Sequence, residues 1–253
     1  MLQELELNFS VLHDHRRNGN INEAIHGWLF HRLKVTSPSL ADQIHNMRIK
    51  PFAIDAISKK GTVLTSGKRI SASICIFSPQ YSHSISDSLT HALGKDYEIG
   101  RVGVKFDQMS VKRKQTYEQL IEESFSRDYE QVQVTFVSPT SFRREGVQIL
   151  YPSPELVLQS LHNRWKEFCP VKTTNMDTKW EERFVVSRYQ LQTKLVVFDK
   201  YPIVGCVGNI QYTRSKHANY YQDKLAHALF QFGTYSGVGY KTTMGLGRMH
   251  VAF

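Results

Sequence analysis

The stretch Gly233-Thr-Tyr-Ser-Gly-Val-Gly-Tyr-Lys-Thr-Thr-Met-Gly-Leu-Gly-Arg248 lies near the end of the chain and runs into the short apolar segment Met249 to Phe253. Five of its sixteen residues are glycine, the residue a chain uses where φ must be positive or where another backbone must come close. Lys241, Thr242, Thr243 and Arg248 stand among these glycines, so exposed amides would be surrounded by cations and hydroxyls. That combination suits a phosphate backbone. Two familiar glycine loops do not fit it. A nucleotide-binding P-loop requires Gly-Lys-Ser/Thr entering a helix after a strand, and a dinucleotide fingerprint requires G-x-G-x-x-G opening a helix inside a βαβ unit. Here Gly237-Val-Gly239 leads into Tyr240, Lys241 and Thr242, and the chain closes on a strand. A nucleotide-binding enzyme therefore loses its motif support.

The totals are consistent with this reading. A chain of 253 residues fits two compact domains of ordinary size. With 41% hydrophobic and 22% charged residues it has material for cores and no disordered bias. A formal charge of +9 points to a polyanionic partner, either nucleic acid or an acidic membrane surface. No apolar run reaches the roughly 18 residues of a membrane span, and Met1-Leu-Gln-Glu-Leu-Glu lacks the basic start and apolar core of a signal peptide. A soluble, cytoplasmic protein without a membrane partner is expected. Three widely spaced cysteines, Cys75, Cys169 and Cys206, form no C-x-x-C pair, so neither a disulfide framework nor a zinc ribbon is indicated.

Taken in order, Leu2 to Leu12 alternates as a first strand. The polar loop from His13 to Asn20 includes a His-Asp-His triplet, but no second cluster of metal ligands follows at a recognisable spacing. Asn20 with Glu23 resembles a capping arrangement, and Ile21, Ile25, Trp28, Leu29 and Leu33 share one helical face. His26 lies at the margin of that face and His31 projects elsewhere. Leu40 to His45 reads as one short helical turn. Phe52 to Ile57 and Arg69 to Phe77 read as strands joined through a turn at Lys59 to Gly61. A helix over Tyr81 to Leu93, ended at Gly94, and a strand within Tyr97 to Val111 complete β-α-β-β-α-β, a ferredoxin-like order. Lys112 to Lys114 then opens a polar joining segment through a short helix, Tyr117 to Phe125. A second set follows: a strand at Tyr129 to Ser138, a helix at Pro154 to Phe168, an irregular insertion over Val171 to Phe184, and strands across Ser187 to Phe198 and Ile203 to Thr213. A helix from His217 to Phe232 delivers the glycine loop. The fold expected is α+β, two tandem ferredoxin-like (βαββαβ) domains over residues 1–115 and 128–253.

The phrase from Phe232 to Val251 is similar to the C-terminal glycine-rich signature of the CRISPR-associated repeat-RNA endoribonucleases, members of the repeat-associated mysterious protein superfamily. Other blocks resemble the same family in the same order. They are Leu40 to Asn46 with Lys50-Pro-Phe52, Phe136-Val-Ser-Pro-Thr-Ser-Phe142, Pro152 to Leu161 with Trp165, and Val204-Gly-Cys-Val-Gly208. The resemblance implies tandem ferredoxin-like domains and cleavage of a precursor CRISPR transcript within each repeat. It also implies that the segment holding His45 and Lys50 supplies the catalytic histidine and a nearby lysine. One position departs from the pattern: a tyrosine of the first helix that serves beside the histidine in the best-known archaeal branch is here Phe30, which cannot transfer a proton. His26, one turn earlier, is the nearest substitute.

RNA carries its own nucleophile, the 2′-hydroxyl. An enzyme then needs a base, an acid for the departing 5′-oxygen, and positive charge for the phosphorane, and histidine suits both proton transfers. His45 and His26 are assigned to the two transfers in either order, with Lys50 on the scissile phosphate, no metal and no cofactor. The expected products carry a 2′,3′-cyclic phosphate and a 5′-hydroxyl. With eleven histidines in the chain, any single one is more often a surface or core residue than a catalyst, and His31 is kept as a reserve. RNA binding is expected from the amides of Gly237, Gly239, Gly245 and Gly247 with Lys241 and Arg248 on phosphates, and from Arg143, Arg144 and Arg188. Precursor and mature crRNA are the expected partners, with a CRISPR interference complex beyond them, and the protein is expected as a monomer or homodimer. A non-catalytic crRNA-binding subunit of a CRISPR effector complex is the alternative, told apart by histidine-dependent cleavage.

Overall fold

The structure is a computed structural model that describes residues 1–16, 20–56, 63–171, 179–199, 201–216 and 219–253. The chain divides into two compact units, one of Met1–Lys114 with Val197–Pro202 and Thr243–Gly245, the other of Gln115–Val196, Ile203–Thr242 and Leu246–Phe253.

In chain order the first unit holds β1 (Leu2–Val11), the two-residue β2 (His15–Arg16), α1 (Ile21–Thr36), α2 (Pro38–Asn46), β3 (Phe52–Ala56), β4 (Val63–Leu64), β5 (Arg69–Ile76), α3 (Pro79–Thr90), β6 (Asp96–Ile99) and β7 (Val102–Gln115). Its main sheet runs β3-β5-β1-β7-β6, and Leu5 and Ile54 both pair with Ile74 in antiparallel register. With β6 set aside, the first strand lies inside between the third and fourth, the order of a βαββαβ unit. α1 buries the five residues expected of it, Ile21, Ile25, Trp28, Leu29 and Leu33. Trp28 meets the rings of Phe9, Tyr97 and Phe106 edge-on at 5.4 to 5.6 Å, an arrangement aromatic quadrupoles favour. Asn20 caps the helix by accepting from the Asn22 amide. Glu23 does not complete a capping box, because its carboxylate accepts the Asp199 amide instead.

The second unit holds α4 (Tyr117–Ser126), β8 (Gln131–Thr140), β9 (Phe142–Arg144), β10 (Val147–Ile149), α5 (Pro154–Phe168), α6 (Trp180–Arg183), β11 (Phe184–Val197), β12 (Pro202–Arg214), α7 (Tyr220–Ser236), a 3-10 turn at Thr242–Met244 and β13 (Met249–Ala252). The 3-10 turn runs on from this unit into the Thr243–Gly245 segment that counts with the first. The sheet order β11-β12-β8-β13 repeats the first unit's arrangement, with β8 inside. Tyr117, Trp165 and Phe232, from α4, α5 and α7, make the centre of this core with ring centroids 4.9 to 5.7 Å apart. Both units are therefore ferredoxin-like, as the order of elements led us to expect. Among the described residues no helix is long and apolar enough to cross a membrane.

Several details differ from the sequence reading. The segment read as a single turn around His45 is a nine-residue helix, α2, started by Pro38, a residue preorganised for a first helical turn. The strand expected within Tyr97 to Val111 is a hairpin of β6 and β7, turned at Gly100 and Arg101 with φ of 57° and 66°. Arginine is not a usual residue for that conformation, which hid the turn. The joining segment is structured throughout. Lys112 to Lys114 continue β7, where Arg113 Nε donates to the buried Glu4 at 2.6 Å, and α4 packs on α7 in the second unit. The hairpin of β9 and β10 was not read at all. The turn at Lys59 to Gly61, the middle of the insertion over Val171 to Phe184 and the helix start at His217 lie outside the described residues.

Candidate active site

His26 and His45 come from different helices and meet the same ring. Phe30, one turn beyond His26 on α1, has its centroid 4.9 Å from the His26 imidazole and 5.5 Å from that of His45, the latter edge-on at 87°. Phe52 on β3, fully buried, closes the cluster from below at 5.8 Å from Phe30 and 6.2 Å from His26. Helical spacing brings Phe30 under His26, and the short link from α1 to α2 carries His45 back to it. His26 is half-buried and His45 exposed. Phe30 thus places an apolar ring between the two imidazoles.

His26 is also oriented. Its Nδ1 lies 3.1 Å from the carbonyl oxygen of Thr243. A carbonyl can only accept, so Nδ1 carries the hydrogen and Nε2 is the basic nitrogen of the neutral ring. Lys50 is tied to the helix that carries His45. Its ammonium donates to the carbonyls of His45 at 3.0 Å and Met47 at 2.7 Å, and burial lowers its pKa. Two of its three hydrogens thus hold the end of α2. The reserve histidine, His31, is exposed and accepts from Arg32, which in turn lies over the Tyr97 ring.

The glycine loop is built in the second unit with most of its donors committed. The amides of Gly237, Gly239 and Gly247 donate to the Gly233 carbonyl, the Ser160 hydroxyl and the Pro139 carbonyl. Glycine at 239 and 247 supplies shape, for both have positive φ and an added Cβ would lie 2.3 Å from the Ser141 carbonyl and 1.9 Å from that of Val238. Arg164 pins the loop by donating to the Gly239 carbonyl at 2.7 Å, and burial pushes its guanidinium down to about 10. Arg248 is buried, and its Nη1 donates to the Thr234 carbonyl at 2.8 Å.

Other cations are differently disposed. Arg143 lies over the half-exposed Tyr240 ring at 4.5 Å, and the Lys241 ammonium is 5.3 Å from the same ring, a cation–π pair on one aromatic. Arg144 is paired with Glu155, and Arg188 is exposed on the edge strand β11. Tyr240, Arg164, Asn22 and the Thr243 carbonyl were not singled out from the sequence, and only the glycine pattern around Thr243 marked that region. Among the described residues no three His, Cys, Asp or Glu side chains converge. Asp14 of the His-Asp-His triplet accepts the Ser66 amide at 2.7 Å.

Comparison with known proteins bears on the fold and on residues 134–249. Residues 134–249 match the family model of the CRISPR-associated endoribonuclease Cas6. A curated relative of that name from Streptococcus thermophilus is 28% identical over 119 residues, 45% of this chain and 47% of the relative. One from Mycobacterium tuberculosis (strain CDC 1551 / Oshkosh) is 25% identical over 120 residues, 47% of this chain and 38% of the relative. The aligned chain thus spans less than half the length of these curated relatives. In three dimensions a Cas6 product complex superposes with a TM-score of 0.85 at 20% identity, each chain covered fully. Thermus thermophilus Cas6 gives 0.71 at 20% identity, covering 100% of this chain and 98% of the other. A Cas6-related protein from Pyrococcus furiosus gives 0.66 at 15%, with 100% and 99% covered. At such identities these likenesses establish the fold. Through the match over residues 134–249 and a fold shared from end to end, the resemblance carried by the glycine-rich signature to the CRISPR-associated repeat-RNA endoribonucleases holds.

Proposed function

We propose that this protein is a metal-independent endoribonuclease that cleaves precursor CRISPR RNA within its repeats. The observation that supports it most directly is the pair His26 and His45 held against one ring, Phe30. One imidazole removes the proton of the 2′-hydroxyl as its oxygen attacks the adjacent phosphorus, and the bond from phosphorus to the 5′-oxygen breaks. The other imidazole gives a proton to that departing oxygen, leaving a 2′,3′-cyclic phosphate and a 5′-hydroxyl. Lys50, beside His45, adds positive charge to a site where the phosphorane develops negative charge. Arg143 and Lys241, gathered by Tyr240, hold phosphates of the repeat RNA, with Arg188 and Gly245 as further contacts.

Single-turnover cleavage of an end-labelled cognate repeat RNA in EDTA, with wild type and His45→Ala side by side, tests this reading. A cyclic phosphate product and a rate about 10² to 10⁴ lower in the variant are expected, with RNA affinity kept. Wild-type rates in His45→Ala would remove His45 from the mechanism. Tight binding without a cut by the wild-type protein would instead assign the role of a non-catalytic crRNA-binding subunit.

A further inference from the structure

The Thr243 carbonyl that orients His26 belongs to the segment Thr243–Gly245, and that segment is held by fit as well as by hydrogen bonding. Gly245 sits at φ +79°, and a Cβ built on it would lie 2.2 Å from Asn22 Cγ, 2.4 Å from Nδ2 and 2.6 Å from Oδ1. The Asn22 side chain cannot readily swing away. Its Oδ1 accepts the Ala56 amide at 2.7 Å and its Nδ2 donates to the Ala56 carbonyl at 3.4 Å, tying the start of α1 to the end of β3. Asn22 lies one helical turn before His26, so both face the same side of α1. The backbone segment that passes over Asn22 at Gly245 therefore presents its Thr243 carbonyl to His26 two residues earlier.

We propose that Asn22 and Gly245 are positioning residues for His26: their close fit seats the Thr243 carbonyl, which keeps the hydrogen on Nδ1 and so makes Nε2 the basic nitrogen of the neutral ring. The proposal rests on the catalytic reading of His26 given above. Either direction of transfer is served, since an imidazolium also donates through Nδ1 to the carbonyl while Nε2–H acts as the acid. A side chain at position 245 meets Asn22 and strains the positive φ together, so the carbonyl shifts and the ring loses its reference. Misplacement by about 1 Å away from the reacting atoms can cost about 100-fold in rate.

The test uses protein labelled with ¹⁵N-histidine, the His26 signals being identified by their loss in His26→Gln. Neutral wild-type His26 is expected in the Nδ1–H tautomer without RNA present. In Gly245→Ala the Nε2–H tautomer is expected to gain population, and the single-turnover rate at saturating protein to fall about 100-fold. Asn22→Ala placed in that background removes the obstructing atoms and is expected to recover part of both. If Gly245→Ala does not fold, the wild-type tautomer and the Asn22→Ala protein alone decide the matter. An Nε2–H tautomer in wild type, or an Asn22→Ala protein with unchanged tautomer and rate, overturns the proposal. His26→Ala cleaving at the wild-type rate overturns the catalytic reading beneath it, and the tautomer spectra separate that failure from a failure of the fit.

Discussion

The Lys50 ammonium donates to the carbonyl oxygen of His45 at 3.0 Å, so the lysine acts on the helix end that carries the histidine. A second bond, to Met47 at 2.7 Å, places one cation over two of the carbonyls that a helix C-terminus leaves unsatisfied. Lys50→Met keeps the length of the side chain and removes both bonds. At a net contribution of about 0.5 to 1.5 kcal/mol for each bond, a loss of roughly 1 to 3 kcal/mol is expected, or about 2 to 12 °C in Tm. Cleavage should slow as His45 loses its support. An unchanged Tm with weaker RNA binding would show that the ammonium serves a phosphate alone.

The arginines and lysines of the second unit should separate by salt dependence. Each contact with a single-strand phosphate adds about 0.7 to the slope of log affinity against log salt. Arg143→Ala and Lys241→Ala, which leave the Tyr240 ring in place, should each reduce that slope by about this amount. Arg248→Ala should leave the slope alone and lower stability by roughly 1 to 3 kcal/mol through the lost bond to the Thr234 carbonyl. A reduced salt slope in Arg248→Ala would contradict its buried, structural placement.

Gly247→Ala puts a methyl group 1.9 Å from the Val238 carbonyl, and the Val238 amide is itself bonded to the Gly247 carbonyl at 2.8 Å. The turn cannot yield at one residue without breaking the other's bond. A destabilisation of about 3 kcal/mol is expected, in the upper range for single substitutions. Thermal melting in the absence of RNA reads it directly, and a Tm within a degree of wild type would mean that the loop has room the structure does not show.

His227 gives the fold an acid limit. It is fully buried among the rings of Tyr129, Phe184 and Phe253. Burial, and then the Lys224 ammonium, push its imidazole down to about 4 from an ordinary 6.5. Between these two values the unfolded chain takes up a proton that the folded chain refuses. Stability is therefore full above pH 6.5, falls as the pH drops through this window, and levels off below 4. The loss over the whole window amounts to roughly 3 kcal/mol. His227→Phe should remove this part of the acid sensitivity in urea melts taken at pH 7 and pH 4.5. A variant as acid-sensitive as wild type would place the titrating group elsewhere.

Much of the architecture was legible because its causes are local. The cap at Asn20 and the face of Ile21, Ile25, Trp28, Leu29 and Leu33 follow from helical spacing within one segment. The glycines of the C-terminal loop announce positive φ at their own positions, and four of them have it. The hairpin at Gly100 and Arg101 was not legible, because arginine gives no sign of the conformation that the neighbouring strands impose on it.

The composition and order of the segments by themselves determined the two ferredoxin-like units, the basic character of the chain and the family signature. Only the tertiary structure decided which backbone groups remain available. A sequence spells out side chains, but every residue has the same carbonyl and nearly every one the same amide, so their partners depend on where the chain passes. That is why the amides of Gly237, Gly239 and Gly247 turned out to be committed to α7, α5 and β8. For the same reason His26 takes its orientation from the carbonyl of Thr243, 217 positions away along the chain.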